Sequence, residues 1–334
     1  MMDRSVSATA PGKVILFGEH AVVYGQPAVA VPVHQVRATA SVEPGRPGSG
    51  LTLSALDLDR VMALAESPKD DPLATIARLT LTHLDAPPPS ATLTIHSTIP
   101  IASGMGSGAA VSTAIVRALA AYLGQELPPE AVSELVYEVE KLHHGTPSGI
   151  DNTVVAFGAP VYFVRGQAIE AFDVGAALQL LIGDTGVASP TRVAVGDVRR
   201  AWEGDRAHYE DLFARVGQVV EQARALIEGG GETARLGALM DRNHELLRDM
   251  GVSSPELERL VGAARAAGAQ GAKLSGAGRG GNMIALVAPG DEAQVAGALR
   301  QAGALRVTRT VVPASGGGDV RPPLNPPRRR GGST

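Results

Sequence analysis

The chain has 334 residues, 44% of them hydrophobic, which is enough for a sizeable core arranged as two domains or as one domain of two lobes. A formal net charge of −4, with Lys and Arg scattered except in the last few positions, supplies no basic field for nucleic acid, and no run approaches the ~18 apolar residues of a membrane helix. The absence of cysteine excludes disulfides and thiolate zinc sites, and MMDRSVSATAPG lacks the apolar stretch of a secretory signal, so cytoplasmic residence is the expectation.

From Ala10 to Val31 the sequence APGKVILFGEHAVVYGQPAVAV reads as a buried strand bracketed by Lys13, Glu19 and His20. Strands seldom carry such groups at both ends without a ligand to meet; the alternative is that each is a solvated loop residue. Alternation of apolar and polar residues predicts strands at His34 to Val42, with Val36, Ala38, Ala40 and Val42 on one face, and at Leu93 to Ile99. Between them, Asp57 to Leu84 carries helix-like spacing through Val61, Leu64 and Ala65, then Ile76 and Leu79. Pro68 and Pro72 should divide it into two helices.

After a strand ending at Pro100, SGMGSGAA leads into a helix through Val111, Ile115, Ala118, Leu119 and Tyr122. Glycines ahead of a helix let backbone N–H groups approach an anion, and the helix N-terminus adds positive potential, so phosphate binding is the natural reading. The stretch is not a P-loop, which needs Gly-Lys-Ser/Thr at the helix start. A tight strand-to-helix connection with small residues for packing is the alternative.

Pro129 to His143 is an amphipathic helix through Val132, Leu135, Val136, Val139 and Leu142, with Glu140 one turn from its end. On pattern alone Glu140 could be a helix-surface residue and Asp151-Asn152 a turn. His143 and His144 do not make a metal site, since adjacent helical residues point in different directions and no third ligand stands at useful spacing. Val154 to Phe172 reads as a hairpin around Arg165-Gly166-Gln167, and Leu178 to Ile182 as a short buried strand, placing a lobe boundary near residue 175.

The second half is predicted to be mostly helical, over Val198 to Glu228, Glu232 to Met250 and Ser254 to Ala267, the last opened by Ser253 with Glu256 as a capping box. Strands at Met283 to Val287 and Leu305 to Val312 suggest helices packed on one face of a mixed sheet. From Gly316 onward GGGDVRPPLNPPRRRGGST has almost nothing to bury and is expected to be disordered.

Four segments, PGKVILFGEHAVVYG, PIASGMGSGAA, EKLHHGTPSGIDN and KLSGAGRGG, stand in the order of the motifs of the GHMP family of small-molecule kinases. The first resembles that of the mevalonate kinases. Galactokinases follow Gly-Glu-His with Thr-Asp-Tyr, where this chain has Ala21, Val22 and Val23. The resemblance implies an α+β, two-lobed GHMP kinase fold: an N-terminal lobe of mixed sheet and helices (1–175), a ferredoxin-like C-terminal lobe (176–315) and a disordered basic tail (316–334). It implies transfer of the γ-phosphoryl group of ATP to the 5-hydroxyl of (R)-mevalonate, with Mg²⁺ as cofactor and a homodimer as a common assembly among relatives.

The same resemblance implies the roles of individual residues. Asp151 would accept the hydroxyl proton and Lys13 would stabilise the developing charge. Pro100, Ser103, Gly104, Met105, Gly106, Ser107, Gly108 and Ala109 would wrap the ATP phosphates, with Gly276, Ala277 and Gly278 closing over them from a loop between a helix and a strand. Glu140 and Ser107 would hold Mg²⁺. Glu19 and His20 would line the acceptor pocket, with His20 a donor toward the mevalonate carboxylate or hydroxyl. Two positions depart from the family pattern: Gly108 stands where a second serine often reaches Mg²⁺, and Arg279 where glycine is common. Arg279 would turn the loop differently, lie beside the nucleotide or face solvent, and His244 is read as a packing residue. Other acceptors on the same scaffold (the 3-hydroxyl of mevalonate, phosphomevalonate or a sugar), or a non-catalytic ATP-binding sensor, are the competing readings.

Overall fold

The computed structural model describes residues 5–100, 104–144, 147–167, 169–189 and 191–315 and, for His143 and His144, the backbone alone. The disorder expected from Gly316 onward concerns residues outside these. The first half contributes β1 (Val6–Phe17), β2 (Ala28–Pro44), β3 (Leu51–Ala55), β4 (Arg60–Ala63), α1 (Pro72–His83), β5 (Ala91–Ser97), α2 (Ser107–Tyr122), α3 (Pro129–His144), α4 (Ile150–Phe157), β6 (Val161–Phe163) and β7 (Glu170–Ala171). The long β2 organises their sheet. One of its edges pairs antiparallel with β1, from Val42 opposite Val6 to Val29 opposite Phe17. Its other edge takes β5 along Ala38–Pro44 and β6 along Ala28–Ala30. Because β3 runs parallel to β5 while its other neighbours are antiparallel, the sheet is mixed. Val36, Ala38, Ala40 and Val42 are all buried, as their alternation predicts.

Two expectations in this half are corrected. Of the two helices predicted over 57–84 only α1 forms, started by Pro72 and by Asp71, whose carboxylate accepts from the Ala74 N–H at 2.9 Å. The earlier stretch is β4, returned onto β3 after Asp59 takes φ +47°. Val61 is 70% exposed whereas Leu64, just beyond β4, is buried in the core, so the apolar residues of this stretch do not form one helical face. The hairpin predicted over 154–172 holds only for β6 and β7. Its first part continues α4, which ends at Gly158 with φ +61°. Ile150 and Val154, one turn apart, bury against Ile15, Ala28 and Ala30 of the sheet.

The second half supplies β8 (Leu178–Asp184), α5 (Thr191–Gly204), α6 (Arg206–Glu228), α7 (Thr233–Asp249), α8 (Pro255–Ala266), β9 (Gly271–Ser275), β10 (Asn282–Val287), α9 (Glu292–Gln301) and β11 (Arg306–Val312). Its four strands lie in the order β11-β8-β10-β9, every pairing antiparallel, with helices inserted after the first and third strands. This is the ferredoxin-like arrangement, and it replaces the mixed sheet expected from the β, α, β order. The single helix predicted over 198–228 is two, broken at Asp205, whose carboxylate caps α6 through the His208 N–H at 3.2 Å. Ser254 rather than Ser253 caps α8, accepting from the Leu257 N–H, while the Ser253 hydroxyl turns to Glu258. Among the described residues no helix is long and apolar enough to cross a membrane.

Candidate active site

A cleft of about 100 Å³ opens where β1, the start of α4 and the turn after β9 converge, with Lys13, Glu19, His20, Asp151, Gly276 and Ala277 on its walls. β1 carries Lys13 at a position buried on both faces, 3% exposed, and its Nζ lies 2.9 Å from Asp151 Oδ1. Asp151 sits in the first turn of α4, where the helix N-terminus favours a carboxylate. The cation therefore has its charge answered inside the protein, while the carboxylate, 31% exposed, still faces the cleft.

The Gly104–Gly108 turn rests directly on Lys13. The Lys13 N–H donates to the Met105 carbonyl at 3.0 Å, and a Cβ at Gly106 would stand 2.9 Å from the Lys13 Cγ. Gly106 also takes φ +71° as the residue that starts α2, with Gly104 at φ +81° ahead of it and Ala109 buried in the helix's first turn. Of the expected phosphate-loop residues, Ser103 lies outside the described residues.

α3 brings Glu140, 4% exposed, against the start of α2: its Oε1 is 3.2 Å from where a Cβ on Gly108 would be, one residue from Ser107. α4 is locked to α3 by Asn152, whose amide donates to the Ser133 hydroxyl at 2.8 Å and carbonyl at 3.1 Å, so Glu140 and Asp151 are set by the same pair of helices. Among the described residues no group of three or more His, Asp or Glu side chains could hold a metal. One carboxylate and one hydroxyl beside a glycine-led helix start are nonetheless a hard-oxygen donor set that fits Mg²⁺, which takes few protein ligands and completes its shell with phosphate and water.

Glu19 and Lys273 form a fully buried ion pair across the two halves of the chain. Burial pushes the Glu19 carboxyl up and the Lys273 ammonium down, each opposed by the charge of the other. His20, at φ +60°, lies 2.9 Å through Nε2 from the Ala277 carbonyl. A carbonyl only accepts, so Nε2 carries the proton. Burial pushes the ring's pKa down to about 4, leaving Nδ1 bare. The Nε2–H of His20 thus donates to the Ala277 carbonyl, which leaves the ring no second N–H to donate.

The turn holding Gly276, Ala277 and Gly278 joins two antiparallel strands, β9 and β10, rather than a helix and a strand. Arg279 takes φ +58°, a backbone state that explains why glycine is common there, and its guanidinium pairs with Asp197 of α5. His244 is buried as expected of a packing residue but is also hydrogen-bonded, accepting through Nδ1 from the Leu274 N–H at 3.2 Å. The sequence reading missed Lys273, whose only signal was its place at the head of the fourth motif. It also missed Thr191 and Val195, which line the cleft from a part of α5 that lay outside the predicted helix. Tyr24 anchors α5 and α6 to the first motif, stacking on Phe213 at 4.1 Å and tilting against Trp202 at 5.3 Å.

The family model described as the GHMP kinases N terminal domain matches residues 73–159, and that of the GHMP kinases C terminal matches residues 220–305. The mevalonate kinase of Thermococcus sibiricus is 37% identical over 324 residues, covering 92% of this chain and 96% of the relative. That of Thermococcus gammatolerans is 38% identical over 317 residues, covering 89% and 93%. Among solved structures, L. major mevalonate kinase in complex with R-mevalonate superposes with a TM-score of 0.79 at 31% identity, covering 92% of this chain and 96% of that one.

Proposed function

The chain belongs to the mevalonate kinases of the GHMP kinase family, and from that membership we propose that it transfers the γ-phosphoryl group of ATP to the 5-hydroxyl of (R)-mevalonate, giving 5-phosphomevalonate and ADP. The observation that carries the reading is the pairing of buried Lys13 with cleft-facing Asp151, between the Gly106 and Gly276 turns. Phosphoryl transfer through a loose transition state asks mainly for in-line positioning and for neutralisation of charge on the transferring oxygens.

Asp151 orients the attacking hydroxyl and accepts its proton; a carboxylate is a weak base for an alcohol, so the proton moves late, as the new oxygen–phosphorus bond forms. Lys13 stabilises both the carboxylate and the developing alkoxide. The N–H groups at the start of α2, with the Gly276–Gly278 turn, hold the nucleotide phosphates. Mg²⁺, when bound, neutralises phosphate charge, and Glu140 and Ser107 are the residues that would hold it. Glu19 and the bare Nδ1 of His20 line the acceptor side, where Nδ1 accepts from a substrate hydroxyl. The lobes divide near residue 175, and we expect a cytoplasmic homodimer, which mass in solution tests.

The deciding experiment is ADP release with Mg²⁺-ATP and a panel of mevalonate, 5-phosphomevalonate, galactose and homoserine, followed by phosphorus NMR of the product. Mevalonate-dependent ADP with phosphate on the 5-carbon is the expected result. Phosphate on the 3-carbon, or turnover with another acceptor alone, overturns the substrate; ATP binding without turnover overturns the catalytic reading.

A further inference from the structure

α7 touches both sides of the buried pair beside the cleft. Asn243, fully buried, accepts through Oδ1 from the N–H of Gly18 at 3.4 Å, the residue before Glu19. Its neighbour His244, 1% exposed, accepts through Nδ1 from the N–H of Leu274 at 3.2 Å, the residue after Lys273. Two consecutive residues of one helix therefore hold the backbone beside each member of the Glu19–Lys273 pair. A ring that accepts at Nδ1 carries its proton on Nε2, which lies 3.0 Å from Glu258 Oε1 without the alignment of a hydrogen bond.

The helix is keyed to the strand it serves. β9 is an edge strand paired on one side with β10, so its alternate N–H groups have no ladder partner. α7 supplies those partners from positions 241 and 244: Asp241 Oδ1 accepts from the Ala272 N–H at 2.9 Å, and His244 Nδ1 from that of Leu274. Residues three apart on a helix face thus meet residues two apart on a strand edge. At the other end of the contact a Cβ on Gly237 would lie 2.1 Å from the Gln270 carbonyl oxygen, and one on Gly271 would lie 2.1 Å from that of Gly237. Backbone meets backbone there, which fixes the register of α7 on β9.

We propose that Asn243 and His244 are positioning residues, and that α7 is a brace setting Glu19 against Lys273 and, through that pair, the acceptor side of the cleft. The inference rests on the reading of Glu19 and His20 as acceptor-side residues. Glu19 Oε1 is bound to Lys273, whereas Oε2 is buried with no hydrogen-bond partner among the described residues. A buried carboxylate oxygen without a partner is costly, and its orientation persists only where the surrounding structure imposes it. Gly18 and Leu274 are the points at which α7 imposes it.

A double-mutant cycle in steady-state kinetics tests the brace. Asn243→Ala is expected to lower kcat/KM for mevalonate about ten-fold, with the KM for ATP changing less. In a Glu19→Gln background the same substitution is expected to remove less than about two-fold more, because the group it positions has already been altered. His244→Asn keeps an acceptor at the Nδ1 position and is expected to stay within about three-fold of the parent, while His244→Gln, with its acceptor one bond further out, falls about ten-fold. A full ten-fold loss from Asn243→Ala in the Glu19→Gln background, or equal activity of His244→Asn and His244→Gln, overturns the proposal. Failure of the functional reading shows separately, as absent mevalonate turnover in the parent protein. The cycle is then run with whichever acceptor of the panel supports ADP release.

Discussion

Glu140 Oε1 approaches to 3.2 Å the point at which a side chain on Gly108 would begin. The glycine that breaks the family's two-serine pattern is therefore the residue that gives a carboxylate room at the start of α2. A methyl group there is tighter than ordinary contact, and the carboxylate must shift by a few tenths of an ångström, which Mg²⁺ tolerates poorly because it demands near-ideal octahedral geometry. Gly108→Ala is thus expected to raise the Mg²⁺ concentration for half-maximal ADP release by about ten-fold. Because alanine is the better helix former, the same change should leave the thermal midpoint equal or higher. An unchanged magnesium requirement would show that Glu140 is no ligand.

Asp151→Asn keeps the shape of the side chain and removes the proton acceptor. Turnover is expected to fall by ~10²-fold or more while nucleotide binding, measured by titration, survives. Lys13→Met should also lower kcat, since the cleft loses the ammonium that pairs with Asp151. Asp151→Asn carries a stability penalty as well, because it takes the carboxylate from an ammonium that is only 3% exposed. Near-normal turnover in Asp151→Asn would remove that residue from the mechanism.

The strands and the glycine turn ahead of α2 were legible because their causes are local. Val36, Ala38, Ala40 and Val42 alternate on a half-buried strand, and Gly104 and Gly106, both at positive φ, precede the helix that Ser107 and Gly108 begin. α4 was misread because Val154, Val155 and Phe157 suit a strand as well as a helix, and the deciding information is the αL turn at Gly149 together with burial of Ile150 and Val154 on the sheet. The break at Asp205 was hidden by apolar spacing that continues through it. The Glu19–Lys273 pair joins residues 254 positions apart, and no periodicity marks such a contact. That the Nε2–H of His20 donates to the Ala277 carbonyl is likewise visible only in the folded chain.

Arg279 holds a left-handed backbone state, φ +58°, while its guanidinium pairs with Asp197. For a residue with a Cβ that state costs about 1–2 kcal/mol, against ~0.2–1 kcal/mol for a partly exposed ion pair. Arg279→Ala loses the pair and keeps the strain, whereas Arg279→Gly loses both. The glycine variant is therefore expected to be the more stable of the two by about 1 kcal/mol in urea unfolding, the reverse of the usual helix order. Equal stability of the two variants would show that the backbone at 279 relaxes without cost.

His244 ties stability to pH. Burial pushes its pKa down to about 4 from an ordinary 6.5, with Glu258 opposing the shift and Arg265 and Lys273 adding to it. Between pH 4 and 6.5 the unfolded chain takes up a proton that the folded ring refuses, so this contribution to stability is complete above about pH 6.5 and is lost as pH falls toward 4. The slope is at most ~1.4 kcal/mol per pH unit for one histidine. His20, lowered to about 4 for the same reason of burial, adds a second such slope over the same window. His244→Asn retains an acceptor for the Leu274 N–H and cannot titrate. Urea unfolding between pH 4.5 and 7 is therefore expected to show a shallower loss of stability in that variant, by about one proton's worth, with the His20 share remaining. Parallel curves for parent and variant would mean that His244 is charged in the folded protein.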